Sequence, residues 1–159
     1  MKTLVDDFNE KIDILLKENT SLKEQLIQEQ INNEKSLNSL IQLKIIQTKL
    51  KLQEYLQSHP LQFKDDKFYS VTEEKQTLLA NAIQVYQMKI QAGIPATLKW
   101  NATGEECTEW AIDDLVELAF SIAEYVEPLV AKQQALEVQI KNATTIKELE
   151  GIEINYETV

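Results

Sequence analysis

Along the first part of the chain, large apolar residues recur in alternating steps of three and four: Val5, Phe8, Ile12 and Leu15, then Asn19, Leu22 and Leu26. This is the spacing of the a and d positions of a coiled coil, where one stripe of a helix meets the same stripe of a neighbour. Carried on in the same register, the pattern meets Glu29, Asn33 and Ser36 before Leu40 and Leu43 restore it, so polar positions interrupt the seam. Beyond them Leu37, Leu40, Ile41, Leu43, Ile45, Ile46, Leu50 and Leu52 cover too much of the helix circumference for a narrow two-helix seam. This half is expected to pack against more than one neighbour.

No Gly or Pro occurs before Pro60, and the pattern predicts a single helix from about Thr3 to Leu56. At 1.5 Å per residue such a rod is roughly 80 Å long. It cannot bury its stripe inside a small globule unless it folds back on itself. Asn32-Asn33 is the place for such a bend, but the absence of Gly and Pro favours an unbroken rod that associates with parallel copies. A polar residue at an a position costs stability and fixes register and strand number, which gives Asn19 and Asn33 a use beyond that of a solvated surface.

Ser58-His59-Pro60 ends the rod, because proline lacks the amide donor and pushes its predecessor out of helical geometry. The next segment carries Phe63, Phe68 and Tyr69 around Lys64-Asp65-Asp66-Lys67 and reads as a turn or small hairpin whose aromatic rings pack onto the second domain. A second helix is expected to start at Thr72, whose hydroxyl can accept an unpaired amide of the first turn, with Glu73 and Glu74 at the positive end of the helix dipole. Its buried stripe is expected to be Leu79, Ala82, Ile83, Tyr86 and Ile90, closed by Gly93 and Pro95. Residues 97–108 hold two short extended runs around Asn101-Ala102-Thr103-Gly104 and read as a hairpin that needs Trp100 and Trp110 docked on helices. The third helix is marked by Ile112, Leu115, Ala119, Ile122, Val126, Leu129, Leu136 and Ile140. Pro128 lies inside this pattern and is expected to kink the helix near Glu124–Glu127 rather than end it, since the apolar phase is the same on both sides. Thr145-Ile146-Lys147-Glu148 is a capping-box sequence that starts a short last helix before Gly151. The alternating Ile152-Glu153-Ile154-Asn155-Tyr156 comes last, as an extended tail.

The fold class expected is therefore mainly α: a long N-terminal coiled-coil helix over residues 1–57, a linker or turn over 58–71, and a small helical domain with a short β-hairpin over 72–159. Only three Gly and three Pro in 159 residues agree with long uninterrupted helices.

Composition narrows the partners. All sixteen basic residues are lysine. Arginine is the usual residue for bidentate grips on phosphate and guanine, so its absence, joined to a formal net charge of −10, argues against nucleic acid and against an anionic membrane surface. The acidity is uneven: residues 101–159 carry three Lys against thirteen acids, whereas residues 1–56 carry eight against nine. The acidic part can keep a surface soluble or meet a basic partner. The lone Cys107 allows neither an internal disulfide nor a multi-cysteine zinc site. Residues 1–19 lack the apolar core of a signal peptide and no run of about 18 apolar residues is present, so synthesis and residence in a cytoplasm are expected.

No residue cluster spells out a reaction. A hydrolase needs a nucleophile, a base and an orienting group, and the only His and Cys are His59 and Cys107, separated by a helix and a turn. Asp113, Asp114, Glu117, Glu124 and Glu127 fall on the outward face of an amphipathic helix, where carboxylates are ordinarily a solvated face rather than acid/base or metal groups. Three scattered glycines cannot build a phosphate-cradling loop. Trp100 and Trp110 flank a tight turn and read as its apolar anchors. The expectation is a non-enzymatic protein with no cofactor and no metal, whose candidate site is an oligomer interface of Val5, Phe8, Ile12, Leu15, Asn19, Leu22 and Leu26.

Five segments taken in order, Val71-Thr-Glu-Glu-Lys-Gln, Leu98-Lys-Trp-Asn-Ala-Thr-Gly, Asp114-Leu to Tyr125-Val, Gln133-Gln134 to Ile140, and Ala143-Thr-Thr-Ile-Lys-Glu-Leu, resemble a small helical domain of unknown function found in bacteriophage tail and tail-fibre-associated proteins. The resemblance covers residues 71–154. It implies a structural or adaptor component of a phage tail or phage-tail-like particle, located in the virion tail region after synthesis in the host cytoplasm. It also implies other tail or fibre proteins as partners and, since such appendages are commonly trimeric, a homotrimer in preference to a dimer. The alternative it leaves open is a soluble chaperone for tail-fibre assembly.

Overall fold

The computed structural model describes residues 4–159, with side chains from Asp6 onward. Helix α1 (Leu4–Ser58) runs unbroken for 55 residues and passes straight through Asn32-Asn33. Thr3, the expected start, and the side chain of Val5 lie outside the described residues. Thr20 and Ser39 do not interrupt α1, because their hydroxyls donate back to Leu16 O and Lys35 O, at 2.9 and 3.0 Å. The helix ends where expected: His59 N still donates to Tyr55 O, and Pro60 then has no amide to continue.

Strands β1 (Leu61–Gln62) and β2 (Phe68–Tyr69) pair antiparallel, Leu61 opposite Tyr69. The turn between them places Asp66 at φ 62°, a left-handed conformation that Asp tolerates better than most residues. Helix α2 (Glu73–Gln91) is capped by Thr72, whose side chain accepts from Lys75 N. It closes at Gly93 (φ 71°) with Ile94 N on Lys89 O and Gly93 N on Ile90 O, both bonds of a Schellman motif. Strands β3 (Lys99–Trp100) and β4 (Thr108–Glu109) form a second antiparallel hairpin with Gly104 at φ 79° in its turn. Helix α3 (Ile112–Lys141) contains Pro128 and is continuous across it. Pro128 is exposed, so the Glu124 carbonyl deprived of its helical donor lies on the solvent side. Helix α4 (Ile146–Gly151) and an extended tail complete the chain.

The fold is thus mainly α, a long N-terminal helix followed by a small helical domain with two short hairpins. At its centre lies α3, which packs on α1 and on α2. Its buried face keeps Leu115, Ile122, Val126, Leu129, Leu136 and Ile140 of the expected stripe and adds Leu118 and Gln133, while the expected Ile112 and Ala119 are half-buried. Three rings lock the hairpins together: Tyr69 meets Phe63 and Trp110 edge to face with centroids 5.9 and 5.6 Å apart. Thr103 N donates to Phe68 O, joining the two hairpins through the backbone. In α2, Leu79 is buried and Ala82, Ile83 and Tyr86 are half-buried, but Ile90 is not part of this face. From Gln87 onward the helix is exposed throughout, so its last turn projects past the surface on which the rest is packed.

The core does not stop at the end of the rod. Ile41, Ile45, Leu52 and Leu56 of α1 are buried in the same cluster as Leu115, Ile122, Val126, Leu129 and Ile140 of α3. Within this contact sits a buried polar bridge. The Thr48 hydroxyl donates to Ile45 O at 2.7 Å and accepts from Gln133 Nε2 of α3 at 3.1 Å. Tyr156 of the tail donates its hydroxyl to Thr48 O at 2.8 Å. Among the described residues no buried side-chain nitrogen or oxygen lacks a partner. The tail alternates as its sequence does, with Ile152, Ile154 and Tyr156 buried, and Lys51 Nζ reaches Ile154 O.

A buried donor or acceptor left without its partner costs about 1–3 kcal/mol, whereas removing both partners together is close to neutral. Thr48→Val should therefore destabilise the protein by that amount in urea titrations. The double variant Thr48→Val/Gln133→Leu should recover most of the loss, giving a coupling that single-site packing defects would not show.

Candidate interaction surface

From Asp6 to Ser36 every described side chain of α1 is exposed. Of the seven residues predicted to form a seam, Phe8, Ile12, Leu15, Leu22 and Leu26 stand on this free helix at 40–65 % exposure. Asn19 is exposed between them, and the side chain of Val5 lies outside the described residues. A single copy therefore presents a lengthwise apolar stripe to water, well beyond the scattered apolar residues of ordinary surfaces. Leu16 is exposed beside it, and Ile14, Ile27 and Ile31 are exposed on other sides of the helix. All four fall outside the a and d positions, and only Leu16, at e, extends the stripe.

What fixes this stripe in space is the anchorage of the far end of α1. Thr48 locks the rotation of the helix about its own axis, and a network around the bridge holds the lock. Gln133 Nε2 also donates to Glu137 Oε1 at 2.8 Å, and Lys49 and Lys141 flank the same carboxylate at 3.2 and 3.6 Å. The Gln133 hydrogen bond, followed by that of Lys49, holds the Glu137 carboxyl below its ordinary value. Lys44 Nζ donates to Leu149 O, tying α1 to α4. Burial first, and the nearby Glu137 charge second, push the Tyr156 phenol up to about 12.

The chemistry-bearing residues are dispersed. His59 stacks on Tyr55 with centroids 4.0 Å apart, and its Nε2 lies 3.7 Å from Glu157 Oε1. Cys107 is exposed on the second hairpin, where its thiol meets Asn101 Oδ1. Asp114 and Glu117 of α3 pair with Lys64 of the first hairpin, which raises the Lys64 pKa through those hydrogen bonds. Among the described residues no group of three or more His, Cys, Asp or Glu is placed to hold a metal ion. No helix among them is long and apolar enough to cross a membrane. An open cleft of about 920 Å³ lies between α1, the start of α2 and α3, with Leu52, Leu56, Val126 and Val130 on its apolar walls and Gln53, Gln76 and Gln133 around them. Such a lining suits an apolar segment better than a reaction.

Residues 48–157 match a family described as Domain of unknown function (DUF4376). The chain belongs to this family. No curated protein and no solved structure matches the chain. The matched span runs from Thr48 to Glu157, and so takes in both ends of the buried bridge, Thr48 and Tyr156. The DUF4376 domain therefore includes the last turns of α1, and the free part of the rod lies outside the matched residues.

Tyr156 gives the anchorage a pH dependence with a definite sign. A phenol whose folded pKa is raised above its unfolded value contributes stability that is complete below about pH 10 and is lost as pH rises toward the folded value. The protein should lose stability between pH 10 and about 12, and Tyr156→Phe should reduce that slope in denaturant titrations across the range. The same variant should cost about 0.5–1.5 kcal/mol at neutral pH for the lost bond to Thr48 O.

Proposed function

We propose that this protein is a non-enzymatic structural or adaptor component of a phage tail or phage-tail-like particle, made into a homo-oligomer by α1. The observation that carries the self-association is the exposed stretch of α1, whose regularly spaced Phe8, Ile12, Leu15, Leu22 and Leu26 are left uncovered by the described residues of one chain. A helix stripe of this spacing is matched by equivalent stripes on other copies. Three copies are favoured over two, because the tail appendages that the resemblance points to are commonly trimeric and Leu16, at an e position, adds apolar surface beside the seam.

The tail assignment rests on the resemblance of residues 71–154 to domains of tail and tail-fibre-associated proteins. In this reading the acidic DUF4376 domain docks other tail or fibre proteins, and the protein takes its place in the virion after synthesis in the host cytoplasm. Nucleic acid and membranes are not partners of a chain without arginine and with a net charge of −10. Mass spectrometry of purified particles tests the location. Presence at stoichiometric level supports a virion component, and production in infected cells without incorporation would make the protein an assembly chaperone instead.

The interface has its own test. Leu15→Lys together with Leu22→Lys removes two apolar contacts worth about 1.5 kcal/mol or more each, so dissociation should become easier by about 100-fold or more per chain. Light scattering should then report a single-chain mass, while the thermal transition of the DUF4376 domain stays in place. An unchanged mass would exclude this seam.

A further inference from the structure

The apolar stripe of α1 does not end where the domain begins. Counting in sevens from Ile12 leads through Asn19, Leu26 and Asn33 to Leu40, and from Leu15 through Leu22, Glu29 and Ser36 to Leu43 and Leu50. In this part of the helix Ile41, Ile45, Thr48, Leu52 and Leu56 face the core, yet Leu40, Leu43 and Leu50 are 37, 62 and 53 % exposed. At 100° per residue the two sets lie on nearly opposite sides of the helix. Ile46, also exposed, joins Leu43 and Leu50 at helical spacing. Beside this strip, a hollow of about 310 Å³ opens between α1 and α4, walled by Leu40, Leu43, Ile146 and Leu149. The domain thus covers one side of α1, with α4 reaching the edge of the strip at Leu40 and Leu43, and leaves Leu43, Ile46 and Leu50 exposed.

We propose that Leu40, Leu43, Ile46 and Leu50 are the second half of the self-association seam, covered by the same strip of a second copy of this chain lying parallel and in register, with the DUF4376 domains outside a central helical shaft. This rests on the reading that the stripe from Phe8 to Leu26 self-associates. Three observations choose this occupant. The heptad phase is kept across the polar layers at Glu29, Asn33 and Ser36, so a helix seated on the first half runs directly onto the second. Asn19 and Asn33 occupy a positions, and only parallel copies in register bring each Asn against its own equivalent. Glu18 and Lys23 occupy g and the following e positions, which approach each other between parallel copies with opposite charge. The polar middle layers add little adhesion, so the strip at the domain end is a second anchor of the shaft. The core of the domain is attached to the opposite side, and only α4 borders the strip, at Leu40 and Leu43.

Cross-linking in the full chain tests this. Cysteine is placed by Leu43→Cys, by Leu15→Cys, or at an outward control position by Glu34→Cys, each with Cys107→Ser. Leu43 is exposed in the single chain, so its replacement leaves the core intact. Mild oxidation is followed on non-reducing gels, with the mass measured by light scattering beforehand. Both seam variants should form covalent pairs about 10-fold or more faster than the control, because equivalent d positions face each other across the shaft. Rapid linkage at 15 with only control-level linkage at 43 would overturn the extended seam and leave the shorter one standing. Control-level linkage at both positions in an assembled protein would overturn the parallel register. A single-chain mass before oxidation at high concentration, in the Cys107→Ser parent, would overturn the self-association reading and this inference with it.

Discussion

The whole arrangement turns on the contact between the last third of α1 and α3. It is built of Ile41, Ile45, Leu52 and Leu56 against the α3 face from Leu115 to Ile140, with the Thr48–Gln133 hydrogen bond at its middle. Apolar burial supplies the adhesion of such a contact but is indifferent to small rotations and slides. A satisfied polar pair within it is not, because a shift that separates the partners leaves two buried groups unpaired. The bridge therefore sets the rotation and register of α1 on the domain. That setting decides which side of a 55-residue helix is offered to the outside.

The hairpins and the tail serve the same anchorage. Phe63, Tyr69 and Trp110 interlock the two hairpins and let two-residue strands persist, which they could not do in isolation. Tyr156 uses the second lone pair of the Thr48 carbonyl, so one residue of α1 is held from α3 and from the tail at once. The domain behaves as a socket that grips the end of a rod, and its acidic outer surface is left for other contacts.

Much of this was legible in the sequence because the signals are local. Thr72 caps α2 and Gly93 closes it through conformations that belong to those residue types. The stripe of α3 survives Pro128 because the proline sits on the exposed side, away from Leu129 and Val126. The capping signal at Thr145 also holds, with Glu148 N on its hydroxyl, and the Glu148 carboxylate takes its main bonds from the amide and hydroxyl of Thr144. What stayed hidden depends on distant partners. Residues 37–52 are apolar on two sides, and periodicity alone does not say which side meets the chain's own domain. Thr48 looks like an indifferent helix residue until Gln133, 85 positions away, is brought to it. Ile90 has the right phase for burial and lacks only a surface long enough to cover it.

The strap between Tyr156 and Thr48 spans 108 positions, which makes it one of the most remote pairings in the molecule. Helix formation needs only neighbours, while joining distant segments must await both of them. During synthesis the leading rod can therefore wind well before the socket has the material to shut, and under the proposed self-association it can meet its fellows on adjacent ribosomes. Partnership between nascent chains would then precede completion of each individual fold.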